Sequence, residues 1–177
     1  AGGVGLLLVQ WLKHLGARVI GTVSTEEKAV AVKKAGAKHV ILYTQQDFVS
    51  EVKRLTDGRG ADLIIDGVGK STFTGDLEAA AVHGHIVLFG SASGPVDPFV
   101  PNRLGARSIR LSGGSLGNHI ATREDLVRRS KAVLNAIKQR WLKLRIDHVL
   151  PLAEAGNAHR MLEGRQTMGK VVLKVVD

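Results

Sequence analysis

The chain holds 177 residues, 44% of them hydrophobic and 23% charged, with a formal charge of +9, the composition of one globular domain with or without a small appendage. The absence of cysteine excludes disulfides and thiolate metal ligands among these residues and agrees with a cytoplasmic setting. The longest apolar run, Val4 to Val9, falls far short of the ~20 residues of a membrane span, and no ordered basic, apolar and cleavable segments mark a secretory signal.

The first five residues, AGGVG, have the form of a loop that binds nucleotide phosphates. Glycines allow a sharp turn and close backbone approach, and the helix that follows directs its N–H groups and positive dipole end at the anion. Such a loop normally hangs from the end of a strand. None precedes it here, so the chain is expected to begin within the motif. Leu6 to Leu15 reads as a buried helix closed by Gly16, and ARVIGTV as a short, β-branched strand. Thr25 is placed to cap a helix over Glu26 to Lys34, which Gly36 ends. HVIL is the next strand, DFVSEVKRLT a helix, ADLIIDGVG a strand, STFTGDLEAAAV a helix and HIVLFG a strand. Alternation of this kind, with strands that are apolar throughout, predicts a doubly wound α/β domain, a parallel sheet with helices on both faces.

Ser91 to Gly105 reads as a long loop and SIRL as a sixth strand. The stretch from Thr122 to Ile146 carries eight basic against two acidic residues, with Leu126, Val133, Ile137, Trp141 and Leu144 at helical spacing. It reads as an amphipathic helix with a charged, solvated outer face. Without interleaved aromatics for base stacking, a nucleic-acid surface is the weaker account of that charge. From His148 the rhythm changes to HVLPL, a helix over Ala153 to Glu163, and GKVVLKVV. The organisation expected is a cofactor-binding domain over residues 1–147 and an extension over 148–177.

In dinucleotide-binding folds an acidic side chain ~20 residues past the glycines holds the ribose 2′-hydroxyl of NAD, whereas a 2′-phosphate requires donors and positive charge. At that place the chain reads GTVSTEEK, with Val23 and Ser24 at the strand end and no carboxylate there. Taken singly, Gly2, Gly3 and Gly5 are turn residues, Ser24 and Thr25 a helix cap, and Lys28 a solvated lysine. Taken together they favour NADP(H), because two hydroxyls and an ammonium one helical turn on suit a dianionic phosphate. Glu26 and Glu27 stand against it. Tyr43 ends the next strand on the same edge, where its phenol either covers adenine or closes the strand. DGVG, Asp66 to Gly69, and FGSASG, Phe89 to Gly94, end strands on that edge too, with glycines that permit close backbone approach. The seven histidines fall into no metal-binding pattern, His83 and His85 bracketing a turn at Gly84, and no G-x-S-x-G elbow occurs.

The glycine loop, the serine–lysine pair, ILY, FGSASG and the ending LPLAEAGNAHRMLEGRQTMGKVVLKV together resemble the zinc-independent quinone oxidoreductases of the medium-chain dehydrogenase/reductase superfamily. The resemblance covers essentially the whole chain. It implies a Rossmann domain lacking its first strand, plus C-terminal elements that return to a GroES-like catalytic domain lying upstream. It implies hydride transfer from NADPH to a quinone or activated enone without metal. Gly3 and Val4 would lie on the pyrophosphate, Ser24, Lys28 and Tyr43 around the 2′-phosphate and adenine end, and Val68 beside the adenosine. Gly90, Ser91, Ala92 and Ser93, next to Phe89, would lie along the nicotinamide side, as would Ser115 and Leu116. Gly164 and Arg165 match a C-terminal turn that approaches the cofactor. One departure stands before Ser115, where some relatives carry arginine and proline and this chain has Gly113 and Gly114. The resemblance also places the strand near Ile109 outermost, where it would pair with a second copy in a homodimer.

The expected function is that of the cofactor-binding portion of an NADPH-dependent quinone oxidoreductase, with no catalytic acid or base and no metal ligand assigned within it. An enoyl reductase of the same superfamily, a zinc alcohol dehydrogenase with its ligands upstream, and a non-catalytic nucleotide- or RNA-binding protein are the alternatives.

Overall fold

A computed structural model describes residues 2–164 and 166–176. In chain order the elements are α1 (Gly3–His14), β1 (Ile20–Val23), α2 (Glu26–Ala35), β2 (His39–Leu42), α3 (Phe48–Leu55), β3 (Ala61–Asp66), α4 (Phe73–Ala79), β4 (Ala80–Leu88), β5 (Arg110–Gly113), α5 (Leu116–His119), α6 (Arg123–Lys138), β6 (Ile146–Pro151), α7 (Ala155–Glu163) and β7 (Lys170–Lys174). They form two compact units, one from the residues up to Thr44 and from Lys131 onward, the other from Gln45 to Ser130. No described helix is long and apolar enough to cross a membrane.

In the first unit β1 and β2 pair in parallel, Ile20 opposite His39 through Val23 opposite Leu42. Parallel neighbours need a crossover, and α2 supplies it. Thr25 caps that helix by accepting the Lys28 N–H at 3.3 Å, and Gly36 ends it at φ +118°. Leu6, Val9, Val19, Val23, Ala29 and Val32 form the core between α1, α2 and the strands. Gly21 lets α2 lie this close to the sheet, since a Cβ there would come within 2.7 Å of Val32 Cγ1. A second crossover, β6–α7–β7, also pairs in parallel, from Ile146 opposite Lys170 to Pro151 opposite Lys174.

The basic helix stops earlier than its apolar periodicity predicts. α6 ends at Lys138, Arg140 takes a left-handed φ of +65°, and the chain folds back onto α1. Trp141 stacks on His14 at 3.8 Å and meets Trp11 edge-on at 5.1 Å, while Leu142 is 2% exposed. The Gln10 side-chain amide accepts from Lys143 N–H at 2.8 Å and donates to Lys143 O at 3.1 Å, as a strand would. Packing Trp141 on Trp11 and His14 and burying Leu142 outweighs two further turns of exposed helix.

In the second unit the parallel order is β3-β4-β5, with β5 at one end. Phe73, Leu77, Ala80, Ile86 and Ile109 form its core, and Phe99 packs edge-on against Phe73 at 4.9 Å. Two expected boundaries move. The helix expected through Val82 ends at Ala79, and Ala80 already pairs with Ala61 as strand. The register then jumps, Leu63 lying opposite His85, so the intervening bulge carries His83 at φ +61°. His83 and His85 thus lie within β4 rather than around a turn. The second shift is in β5, which begins at Arg110 rather than Ser108, because a 3-10 helix over Pro101–Arg107 closes through Ser108 in the left-handed region. Among the described residues β1 pairs only with β2, and β3 only with β4.

Arg107 explains the early end of α4. Its Nη1 donates to Glu78 O at 2.7 Å and Ala80 O at 3.0 Å, satisfying carbonyls that a helix terminus leaves unpaired. Arg107→Ala is expected to destabilise the chain by about 1–3 kcal/mol, the range for a lost charge-assisted bond with carbonyls left unpaired. Urea denaturation checks it, and a midpoint equal to wild type would show that water replaces the guanidinium without loss.

Candidate functional site

The residues expected to meet a nucleotide fall into one group in each unit. In the first unit, Gly2 is the N-cap of α1, and the Leu6 N–H donates to Gly2 O at 3.0 Å as the first intrahelical bond. Gly3 and Val4 begin the helix, whose first turn holds no acidic side chain. A helix start of this kind favours anions. A Cβ on Gly2 or Gly5 would meet nothing within 4 Å, whereas one on Gly3 would stand 3.0 Å from Gly169 O. Gly2 and Gly5 therefore border open space, and Gly3 has a packing reason of its own.

At the C-terminal end of β1 the structure brings Ser24, Thr25, Lys28 and Tyr43 together. Lys28 Nζ donates to Ser24 Oγ at 3.3 Å, and Lys28 N–H donates to Thr25 Oγ1. The Tyr43 N–H donates to Val23 O at 3.1 Å and Thr44 Oγ1 to Ser24 O at 3.0 Å, which fixes the end of β2 beside the serine. The Tyr43 side chain remains 43% exposed. No carboxylate occupies the strand end; Glu26 and Glu27 lie in the first turn of α2. This donor set fits a 2′-phosphate better than a ribose diol. Gly164 ends α7, its N–H donating to Arg160 O at 2.9 Å, and Arg165 lies outside the described residues.

In the second unit the loops after β3 and β4 lock together. Ala92 N–H donates to Gly67 O, Ser93 N–H to Val68 O and Lys70 N–H to Gly94 O, at 2.9–3.1 Å. Gly69, at φ +87°, and Gly90 are needed for this, since a Cβ on either would press within 2.8 Å of the opposing backbone. The Ser93 hydroxyl is spent within the pair, donating to Val68 O at 2.8 Å and accepting from Ser71 N–H at 3.0 Å. Ser91 O accepts from Gly94 N–H. Val68 and Phe89 keep exposed side chains. Ser115 and Leu116 stand apart from these bonds, Ser115 as the N-cap of the four-residue α5 and Leu116 largely exposed.

Asp76, which the sequence alone does not single out, is buried in this unit together with Asp66. Asp66 is 5% exposed and accepts from Val68 N–H at 2.6 Å, Gly69 N–H at 3.1 Å and Thr72 Oγ1 at 2.8 Å. Asp76 is 4% exposed beside it. Burial, followed by the charge of Asp66 and a hydrogen bond to it, pushes the Asp76 carboxyl up to about 8. The signal was present, for Asp76 stands on the stripe Phe73, Asp76, Leu77, Ala80 at the i, i+3, i+4, i+7 spacing of a buried helix face.

The pattern of the zinc-binding dehydrogenase family covers residues 3–132. The chain belongs to that family. It is 41% identical over 175 residues to a 2-haloacrylate reductase of Burkholderia sp, across 98% of this chain and 53% of the relative. It superposes with a TM-score of 0.94 on the E. coli quinone oxidoreductase complexed with NADPH, at 37% identity, covering 99% of this chain and 55% of the other. A mycobacterial protein complexed with NADPH gives the same TM-score at 45% identity, again over 99% and 55%. The chain thus spans about half the length of the curated relatives it matches. The resemblance to medium-chain quinone oxidoreductases and the α/β fold with parallel sheets are both borne out. Among the described residues no group of three or more His, Cys, Asp or Glu is placed to hold a metal ion.

The acid pair makes stability pH-dependent. Between the unperturbed carboxyl value of 3.8 and the folded value of about 8, the unfolded chain releases the Asp76 proton while the folded chain keeps it. Stability from this group is full below the lower value and is lost as pH rises through the higher one. Asp76→Asn is expected to flatten that fall and to exceed wild type at pH 8 by about 1–3 kcal/mol. Melting curves from pH 5 to 9 check it, and parallel pH profiles for the two proteins would contradict it.

Proposed function

We propose that the whole protein is an NADPH-dependent oxidoreductase that passes a hydride from C4 of the nicotinamide to a quinone or activated alkene, independently of zinc. The observation that carries the reading is the Ser24–Lys28 pair at the end of β1, in a chain whose relatives include NADPH-complexed structures. The relatives' names, quinone oxidoreductase and 2-haloacrylate reductase, support electron-poor conjugated substrates. A reductase of this kind, drawing on reduced nicotinamide, is proposed to act in the cytoplasm.

The cofactor supplies the hydride chemistry when bound, and the protein supplies orientation and electrostatics. Residues 1–147 are proposed as the nucleotide-binding domain, with 148–177 returning to a catalytic domain. Within the first unit, Gly2, Gly3 and Val4 would receive the pyrophosphate at the α1 N-terminus. Ser24, Thr25 and Lys28 would receive the 2′-phosphate, Tyr43 would lie over the adenine, and Gly164, at the end of α7, would approach the cofactor. Within the second unit, Val68 would border the adenosine. Phe89, Gly90, Ser91, Ala92 and Ser93 would line the nicotinamide side through backbone and apolar surface, and Ser115 and Leu116 would extend that side.

Coenzyme preference is the sharpest test. In the full-length protein Lys28→Ala is expected to weaken NADPH by about 1–3 kcal/mol, the range for a charged hydrogen bond, and to leave NADH almost unchanged. Calorimetric titration of both coenzymes against both proteins reads this, and equal losses for the two would refute the 2′-phosphate assignment.

The end position of β5 supports a homodimer in which two such strands pair antiparallel across a two-fold axis. Light scattering is expected to give twice the mass of one protein, and a monomer at micromolar concentration would rule the arrangement out.

A further inference from the structure

The loops after β3 and β4 depend on a single carboxylate. Asp66 holds the Val68 and Gly69 amides and the Thr72 hydroxyl, and Val68 O in turn takes both the amide and the hydroxyl of Ser93. Beside it the Asp76 Oδ2 is buried with no hydrogen-bond partner among the described residues. α4 packs on α3, β3 and β4. Those elements carry Glu51, Lys53, Arg54, Asp62, Asp66, His83 and His85. Glu51 is paired with Arg54, Asp62 with Arg59, and His85 with Ser112. α3 meets α4 at Gly75 through Phe48 and Val49. Thr72 joins the two acids at the start of α4: its Oγ1 donates to Asp66 Oδ2 at 2.8 Å and its carbonyl accepts the Asp76 N–H at 2.9 Å. Two neighbouring buried carboxyls resist ionising together.

We propose that Asp66 and Asp76 share one proton, and that this proton is what holds the 67–72 turn, with the 89–94 loop hung on it, in the shape that receives the dinucleotide. Asp76 is therefore a positioning residue that touches no cofactor and acts through Asp66. When the proton leaves, two like charges face each other under the turn. Asp66 can relieve that repulsion only by swinging toward water, which releases the Val68 and Gly69 amides. The inference rests on the nucleotide reading given above.

The test compares the full-length wild-type protein with Asp76→Asn, which keeps a donor toward Asp66 but has nothing to titrate. Between pH 7 and 9.5, above the titration of the free 2′-phosphate, the wild-type NADPH dissociation constant is expected to rise about three- to tenfold as the binding-competent turn is depopulated. That of Asp76→Asn is expected to stay within about twofold over the same range. Hydrogen exchange at the Val68 and Gly69 amides, corrected for base catalysis, is expected to lose protection over this range in wild type and not in the variant. Asp76→Ser, also neutral and able to donate, serves if the asparagine does not fold, and the same flat profile is expected of it. Identical pH profiles for wild type and the neutral variants, in binding and in exchange, would overturn the proposal. Loss of exchange protection with the expected pH dependence, in a protein that binds no NADPH at pH 7, would instead overturn the nucleotide reading and leave the proton-held turn standing.

Discussion

Parallel pairing is the constraint from which the rest follows. Neighbouring parallel strands cannot be joined by a tight turn, so each connection crosses back over the sheet, and within each sheet the strands deliver their C-terminal ends to one edge. β1 and β2 do this in one unit, and β3, β4 and β5 in the other. Every segment that carries candidate chemistry at a strand end, Ser24 to Lys28, Tyr43, the 67–72 turn and the 89–94 loop, occupies such a position. The sheet fixes where these segments start, and what they do there is left to local bonds.

Those bonds show why a glycine is a poor witness by itself. Gly3 is confined by Gly169, Gly90 by Gly67, and Gly69 by both its positive φ and Gly94. Each would be required in a protein that bound nothing. Gly2 and Gly5 differ, because a side chain there would meet no neighbour. The positions without a structural need for glycine are those that best support a ligand approaching the backbone.

The regular elements were legible because their signals are local. Thr25 with Gly36 bounds α2, Asp47 caps α3 by accepting the Ser50 N–H at 2.9 Å, and the apolar strands come between them. The errors arose where a distant residue decides. Ala80 to Val82 continue the helical pattern of α4, but Arg107, far along the chain, takes the α4 carbonyls and the segment pairs with β3 instead. Trp141 and Leu144 keep helical spacing with α6, but α1 offers Trp11, His14 and Gln10, and the helix yields. The candidate site divides the same way. Ser24, Thr25, Lys28 and Tyr43 could be read because two short strand ends carry them. Asp76 is not legible in the sequence because its significance lies in Asp66, ten residues away and on another element.

At the strand end by Ser24, a capping role and the proposed binding role need not compete. Thr25 caps α2 through the Lys28 amide, and Lys28 sends its ammonium back to Ser24 across one helical turn. The cap therefore fixes the phase of the helix, and the phase determines that the fourth residue after Ser24 returns to the strand end. A lysine held at both backbone and side chain has already lost much of the rotamer freedom that binding would otherwise cost it. An NAD-type carboxylate at Ser24 would accept the same ammonium, but it would repel a 2′-phosphate and leave the lysine neutralised. With a hydroxyl there, the strand end positions the Lys28 ammonium without placing a negative charge beside it. On the proposed reading, the preference for one coenzyme over the other would rest on the residue at the end of β1, with Thr25 keeping the helix in register behind it.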